Sequence, residues 1–233
     1  LTVPPLLATA REAAAAAGVP DLVVLGDAPA EGGATPFAAL LAHGDAVPAA
    51  GVAPAEDVMF LPYSSGTSGG PKGVLLTHRN VVANVAQVTA HADLLAPTDV
   101  VIAVLPFFHI YGLVPIMHGA LRMGATLVTL PRFELEGFLA TIERYRATVV
   151  FVAPPIVVAL AKHPAVDRYD LSSVRVILSG AAPLDEGLAR RCAERVDCDV
   201  GQGYGMTEAS PVTHLADPEN RLARAGTVGR AAP

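Results

Sequence analysis

The chain has 233 residues, of which 52% are hydrophobic and 16% charged, and it carries a net charge of −6. That hydrophobic content excludes a disordered chain, and mild acidity without a basic block excludes nucleic acid as a main partner. The length is enough to bury the core of one large domain or two small ones.

In chain order, residues 6–17 are alanine-rich and stop at Gly18, which predicts a helix with a glycine C-cap. Residues 22–25 predict a short strand. Thr35-Pro36 ahead of an apolar run at 37–42, with Gly44 behind it, predicts an N-cap, a proline at N1, a helix and a stop. A Pro/Gly-rich connector at 47–54 leads to a strand at 58–61. A loop of hydroxyls and glycines follows, then a second strand-like run at 74–76. Thr77 is placed to cap a helix over 78–91. Ala96-Pro97-Thr98-Asp99 breaks the pattern and sets an expected subdomain boundary.

Beyond it, strands are expected at 100–105, 125–130, 149–152, 174–178 and 199–202. Helices are expected at 112–123, 155–161 and 185–195, and Leu135, Phe138, Leu139, Ile142 and Tyr145 recur at helical spacing. This βαβ alternation implies an α/β fold with mostly parallel sheets flanked by helices. Residues 100–121 lack Asp, Glu, Lys and Arg and are long enough to span a bilayer. Pro106, Pro115, His109 and His118 interrupt them, so the expectation is a buried strand, a turn and a core helix, with no membrane span. Cys192 and Cys198 lack metal-ligand company and read as reduced structural thiols of a cytoplasmic protein. The start of the chain carries no secretory signal pattern.

The most informative stretch runs from Ser64 to Gly73: Ser64-Ser65-Gly66-Thr67-Ser68-Gly69-Gly70-Pro71-Lys72-Gly73. Its glycines let main-chain N–H groups approach an anion, its hydroxyls add donors, and Lys72 supplies a point charge. That combination predicts a polyphosphate grip. A Walker A loop is ruled out, because Pro71 stands where its second glycine belongs and Gly73 follows the lysine. Residues 66–70 satisfy G-x-S-x-G, which would make Ser68 a hydrolase nucleophile. The strand-like run after the loop is the wrong context for that turn.

The loop resembles the signature of the adenylate-forming (AMP-binding) superfamily. Leu105-Pro106-Phe107-Phe108-His109-Ile110-Tyr111 is similar to its second motif. Ser179-Gly180-Ala181-Ala182-Pro183-Leu184 is similar to its adenine-site turn, and Gly201-Gln202-Gly203-Tyr204-Gly205-Met206-Thr207-Glu208 to the motif at the α-phosphate and magnesium. The wording of residues 166–175, followed by Ser-Gly-Ala-Ala-Pro-Leu, most resembles 4-coumarate–CoA ligases. Four motifs, each following a predicted strand, would meet in one crevice at the carboxyl ends of the sheet.

The resemblance implies ATP-dependent activation of a carboxylic acid as an acyl-adenylate, then transfer to the thiol of coenzyme A. A fatty-acyl-CoA ligase is the near alternative, and a serine hydrolase using Ser68 the remote one. It implies that Ser64, Ser65, Gly66, Thr67, Ser68, Gly69 and Lys72 hold the outer phosphates of ATP. Gly180, Ala181, Ala182, Gln202, Gly203 and Tyr204 would form the adenine side. Thr207 would meet the α-phosphate, and Glu208 would hold Mg²⁺. His109 would gate and position the acid, while Tyr111, Gly203, Pro211, Val212 and Leu215 line its pocket. Arg132 would lie near coenzyme A. The expected segments are 1–97, the end of a first α/β subdomain with the phosphate loop, and 98–225, a second with the acyl pocket. Residues 226–233 would begin a β-barrel. By resemblance the chain is a piece of the large domain, truncated before the C-terminal domain and inactive alone.

Overall fold

The computed structural model describes residues 1–26, 33–42, 44, 51–64, 69–90, 94–216 and 226–233. The chain forms two compact units, Leu1–Gly51 and Val52–Pro233. In the first, α1 (Leu7–Ala17) ends at Gly18, whose φ of 65° gives the left-handed cap expected of a glycine there. β1 (Leu22–Val24) pairs in parallel with β2 (Ala34–Pro36), and α2 (Phe37–Leu41) follows directly. Thr35 and Pro36 are therefore strand residues. Pro36 has an extended ψ of 135° and precedes the helix instead of opening its first turn, because its backbone is committed to pairing with Val24. Residues 47–50 of the expected connector lie outside the described residues.

In the second unit, β3 (Val58–Phe60) leads into a hairpin of β4 (Tyr63–Ser64) and β5 (Lys72–Gly73), and then to β6 (Leu76–Thr77), which pairs antiparallel with β3. Val74 and Leu75 stand outside the strands, since Val74 N is used on Pro62 O, 2.9 Å away. Helix α3 (His78–Ala90) starts at a reciprocal cap. Thr77 Oγ1 accepts from Asn80 N at 3.2 Å, and Asn80 Oδ1 accepts from Thr77 N at 3.1 Å. His91, the expected last residue, lies outside the described residues.

A seven-stranded sheet is built from β7 (Val100–Ala103), β8 (Thr126–Thr129), β9 (Val149–Val152), β10 (Val176–Ser179), β11 (Asp199–Gly205), β12 (Val212–Leu215) and β13 (Arg230–Ala231). Its order is β13-β12-β11-β10-β9-β7-β8. The strands from β7 to β11 are parallel, while β12 and β13 are antiparallel additions. Between β7 and β8 the chain runs through a helical stretch, Gly112–His118, that continues into α4 (Gly119–Met123). The remaining helices are α5 (Leu135–Tyr145), α6 (Pro154–Lys162) and α7 (Glu186–Val196).

Both faces of the parallel strands are covered. Val150, Val152, Ile177 and Val200 pack with Phe138, Ile142, Leu160 and Cys192 in one core cluster. Val149, Phe151, Val176 and Leu178 pack with Val88, Ile116 and Ala120 in another. Alternate residues of a strand thus enter opposite cores, which explains why 149–152 reads as an unbroken apolar run. Helix α3, which precedes the expected boundary near residue 97, shares the second cluster with Val101 and Val212, so the compact unit runs through that point.

The stretch Gly112–His118 was expected as ordinary helix and is a wide, π-type turn containing Pro115. Proline has no N–H, and its ring crowds the carbonyl four residues back, so the backbone widens there. Gly112 admits the close approach of Pro106 O, with which a Cβ would collide.

At the opposite ends of the strands, buried Asp99 gathers several segments. Its carboxylate accepts from Ala96 N at 2.7 Å, Thr148 Oγ1 at 2.7 Å and Arg175 Nη2 at 2.9 Å. Both cysteines are free, and burial pushes the Cys192 thiol up to about 12 and Cys198 higher still. Among the described residues no helix is long and apolar enough to cross a membrane. Asp99→Ala should lower stability by about 2–3 kcal/mol, because three donors lose their acceptor while half-exposed Arg175 can turn to water. Urea unfolding measures this, and a loss below about 0.5 kcal/mol would show that the network contributes no more than a surface pair.

Candidate active site

A cavity of about 150 Å³ opens at the carboxyl ends of the parallel strands. Strand β8 leaves β7 on one side and β9 flanks it on the other, so the connections diverge at β7/β9. Such a switch point leaves a crevice where loops can meet a ligand. After β7 the chain contributes His109, Ile110, Tyr111 and Pro115; β9 contributes Phe151 and β10 contributes Leu178, Gly180 and Ala181. Residues Gly203 to Thr207 come from the end of β11, and Pro211, Val212 and Leu215 from the return strand.

His109 is exposed, and its Nδ1 accepts from the main-chain N–H of Tyr111 at 3.2 Å. An Nδ1 lone pair used this way leaves the neutral ring its proton on Nε2, where it serves as a donor. Tyr111 lies edge-on to Phe151, with centroids 6.4 Å apart, and donates its hydroxyl to Leu178 O at 3.1 Å. Burial drives its phenol pKa far above the usual tyrosine range. The bond to Leu178 O commits the hydroxyl proton to the main chain of β10. The ring needs Gly180 beside it, because a Cβ there would meet Tyr111 Cε1 and Cζ at 2.9 Å.

Ala181 follows with φ of 73°, a left-handed conformation that costs a non-glycine residue about 1 kcal/mol or more. That strained corner turns the chain across the end of β10. Its far side is held by buried Gln202, whose Oε1 accepts from Leu184 N at 3.1 Å and whose Nε2 donates to Leu184 O at 3.4 Å. Gln202, expected to touch the nucleotide, thus spends its side chain on the turn. Ala182 is exposed on the same turn but does not line the cavity.

Tyr204 is half exposed and meets His214 edge-on at 6.1 Å. Gly205 sits where a Cβ would be 2.5 Å from Pro211 O, so the hairpin closes tightly behind the ring. Thr207 lines the cavity, and Glu208, next to it in a one-turn helix, is exposed. Among the described residues no group of three or more His, Cys, Asp or Glu is arranged to hold a metal.

The phosphate-loop residues are distributed differently. Ser65, Gly66, Thr67 and Ser68 lie outside the described residues. Ser64 pairs with Lys72 across the β4/β5 hairpin, and Gly69 has φ of 116°. Lys72 is exposed, and neither it nor Ser64 nor Gly69 lines the cavity. Ser64 Oγ is buried with no hydrogen-bond partner among the described residues. After the loop come two further strands, β5 and β6, and the next helix begins only at His78. Arg132 is exposed three residues beyond β8 and apart from the cavity lining.

Sequence reasoning missed Val88, Leu94, Pro115, Phe151, Leu178 and Met206 as lining residues. It also missed Asn84, a buried carboxamide bonded to Val212. Asn84 interrupts the apolar spacing of Val81, Val85 and Val88, which is the one sequence signal that could have exposed it.

Comparison with known proteins places this architecture. The chain is 46% identical over 206 residues to 4-coumarate–CoA ligase 2 of Oryza sativa subsp. japonica, covering 84% of this chain and 36% of that protein. The chain spans about a third of the length of the curated relatives it matches. Among solved structures it matches the anthranilate CoA ligase AuaEII in complex with anthranoyl-AMP, at 25% identity and a TM-score of 0.86, over 99% of this chain and 44% of that one. ATP-bound MatB from Rhodopseudomonas palustris matches at 25% identity with a TM-score of 0.78, over 100% of this chain and 44% of that one. A family model described as AMP-binding enzyme matches residues 2–233, and with the motif-bearing loops that follow β7, β10 and β11 meeting on one cavity at the carboxyl ends of a largely parallel sheet, the chain belongs to the AMP-binding enzyme family.

Proposed function

We propose that the chain is the nucleotide- and acid-binding portion of an ATP-dependent carboxylic acid–CoA ligase of the 4-coumarate type. The observation that carries this reading is the meeting of His109, Gly180–Ala181 and Tyr204–Thr207, from three separate strand ends, on one cavity. The rice relative reported above is itself a 4-coumarate–CoA ligase. The small volume and the aromatic wall of Tyr111 and Phe151 favour a single-ring acid over a long acyl chain. In this reading the protein is cytoplasmic, consistent with two unoxidised thiols, and the division into 1–97, 98–225 and 226–233 describes segments of the whole protein.

The reaction joins the acid's carboxylate to AMP with loss of pyrophosphate. The thiol of coenzyme A then takes the acyl group and AMP departs. A carboxylate is a poor electrophile because its leaving oxygen is basic, and the mixed anhydride removes that obstacle. The first step brings two anions together, so its catalysis is positioning and charge neutralisation.

Lys72, exposed on a hairpin of glycines and hydroxyls, supplies positive charge to the outer phosphates, and the unpartnered Ser64 Oγ beside it is a spare donor. Gly180 and Ala181 present bare backbone to an adenine, with Tyr204 as the facing ring. Thr207 donates to the α-phosphate. Mg²⁺ accepts one or two protein carboxylates and fills the rest of its shell from phosphates and water. Lone, exposed Glu208 fits that minimal set, and when bound the ion neutralises phosphate charge. His109, with Nε2–H outward, holds the acid's carboxylate at the mouth of the cavity. Arg132 is assigned to coenzyme A.

Pyrophosphate exchange by the whole protein with cinnamate, 4-coumarate, benzoate and a fatty acid tests the reading; 4-coumarate or cinnamate should be preferred, and no acid-dependent exchange would sink it. Lys72→Ala should raise the KM for ATP about tenfold or more, with the KM for acid little changed. An unaltered ATP KM would remove the loop from the site. Gly180→Ala should displace Tyr111 into the cavity and raise the acid KM by roughly tenfold, whereas an unchanged KM would mean that Tyr111 does not shape the acid pocket.

A further inference from the structure

Helix α3 turns one polar side chain into its apolar face. Asn84 is 3% exposed and follows Val81 and precedes Val85 and Val88, all buried. A carboxamide so placed costs stability unless every polar atom is bonded. Here each is. Asn84 Nδ2 donates to Val212 O at 2.8 Å and to Gln87 Oε1 at 3.2 Å, and Asn84 Oδ1 accepts from Val212 N at 3.1 Å. Val212 fixes which way the amide faces, since its N–H must meet the amide oxygen and its C=O the amide nitrogen, and Gln87 Oε1 takes the second amide proton.

Both main-chain polar groups of Val212 are therefore held by a side chain 128 residues away. This is how a neighbouring strand would hold them. Strand β13 pairs with His214 and Leu215, and Ala232 N donates to Thr213 O at 2.8 Å, whereas the N–H and C=O of Val212 both go to Asn84. Asn84 acts as a strand partner at that position.

The bonded residue matters because of what adjoins it. Pro211 and Val212 form one wall of the cavity, whereas Asn84 is not among its lining residues. Pro211 O in turn accepts from Met206 N at 3.0 Å, beside Thr207. The pairing between β11 and β12 shifts register between Tyr204 and Gly205, so the strand ladder alone is interrupted where the wall begins. A fixed external point at Val212 makes up for that interruption.

We propose that Asn84 is a positioning residue for the acid pocket, acting through the backbone of Val212 and Pro211 and never touching the ligand. Helix α3 begins five residues after Gly73, so the same helix links the phosphate hairpin to the wall of the acid site. The inference rests on the acid–CoA ligase reading for its kinetic consequence, but the clamp itself is independent of it.

The test uses the whole protein as wild type, Asn84→Ala, Asn84→Asp and Val157→Ala. Asn84→Asp keeps size and the acceptor for Val212 N but sets an oxygen against Val212 O. Val157 is a buried residue of α6 in the opposite core and serves as a stability control. Amide hydrogen exchange of 212–215 should accelerate in both Asn84 variants and stay at the wild-type rate in Val157→Ala. In pyrophosphate exchange, the KM for 4-coumarate should rise about tenfold in both Asn84 variants, while the KM for ATP stays within about twofold. Val157→Ala should lower the Tm without moving either KM. Unchanged amide exchange in Asn84→Ala would overturn the clamp, and faster exchange with an unchanged acid KM would overturn its positioning role. Equal rises in both KM values, or the same rise in Val157→Ala, would reduce Asn84 to general stability. If the wild type shows no acid-dependent exchange, the ligase reading fails, and the amide-exchange comparison still judges the clamp.

Discussion

Burial of both faces of the parallel strands governs where this protein can do chemistry. Strand β9 is buried at every position from Val149 to Val152, with alternate side chains entering separate cores. No polar ligand can reach such a strand along its length, because unpaired polar groups in that interior cost several kcal/mol. Main chain becomes available only where strands end. The chain reverses direction across the sheet at β7 and β9, and the diverging connections leave an opening into which loops can bring hydroxyls, glycines and a histidine.

Those loops need anchorage that the sheet itself cannot give. Two buried carboxamides supply it in the same manner. Gln202 grips the N–H and C=O of Leu184 at the close of the Ala181 turn, and Asn84 grips those of Val212 at the start of the return strand. Each substitutes side-chain groups for a strand partner, so irregular backbone can stay rigid without extending the ladder. The strain visible at Ala181 and the tight approach at Gly205 depend on such external fixing.

Much of the fold was legible because the signals were local. The apolar spacing of 135–145 marked α5, and Asp185, which accepts from Leu188 N at 2.9 Å, opened α7 where a capping residue should. Thr77 capped α3 for the same reason. The site motifs stood out because glycines, hydroxyls and a lone histidine interrupt apolar runs. What escaped notice depends on long-range partners. The Val-Thr-His-Leu sequence of β12 has no strong period of its own and becomes a strand only against β11. The widened turn at Pro115 depends on a choice between breaking and loosening a helix, which composition does not decide. Gln202 sits inside a recognisable motif, yet its side chain serves the turn, and only the distance to Leu184 reveals that.

The two thiols carry a practical consequence for anyone handling the protein. Cys192 belongs to the core beneath α6 and α7, Cys198 adjoins it, and burial keeps both in the protonated form that alkylating reagents ignore. Labelling of Cys192 at neutral pH therefore requires that α7 first come away from the sheet. The rate of thiol capture becomes a built-in clock for opening of that helix, readable without adding a probe or altering a residue.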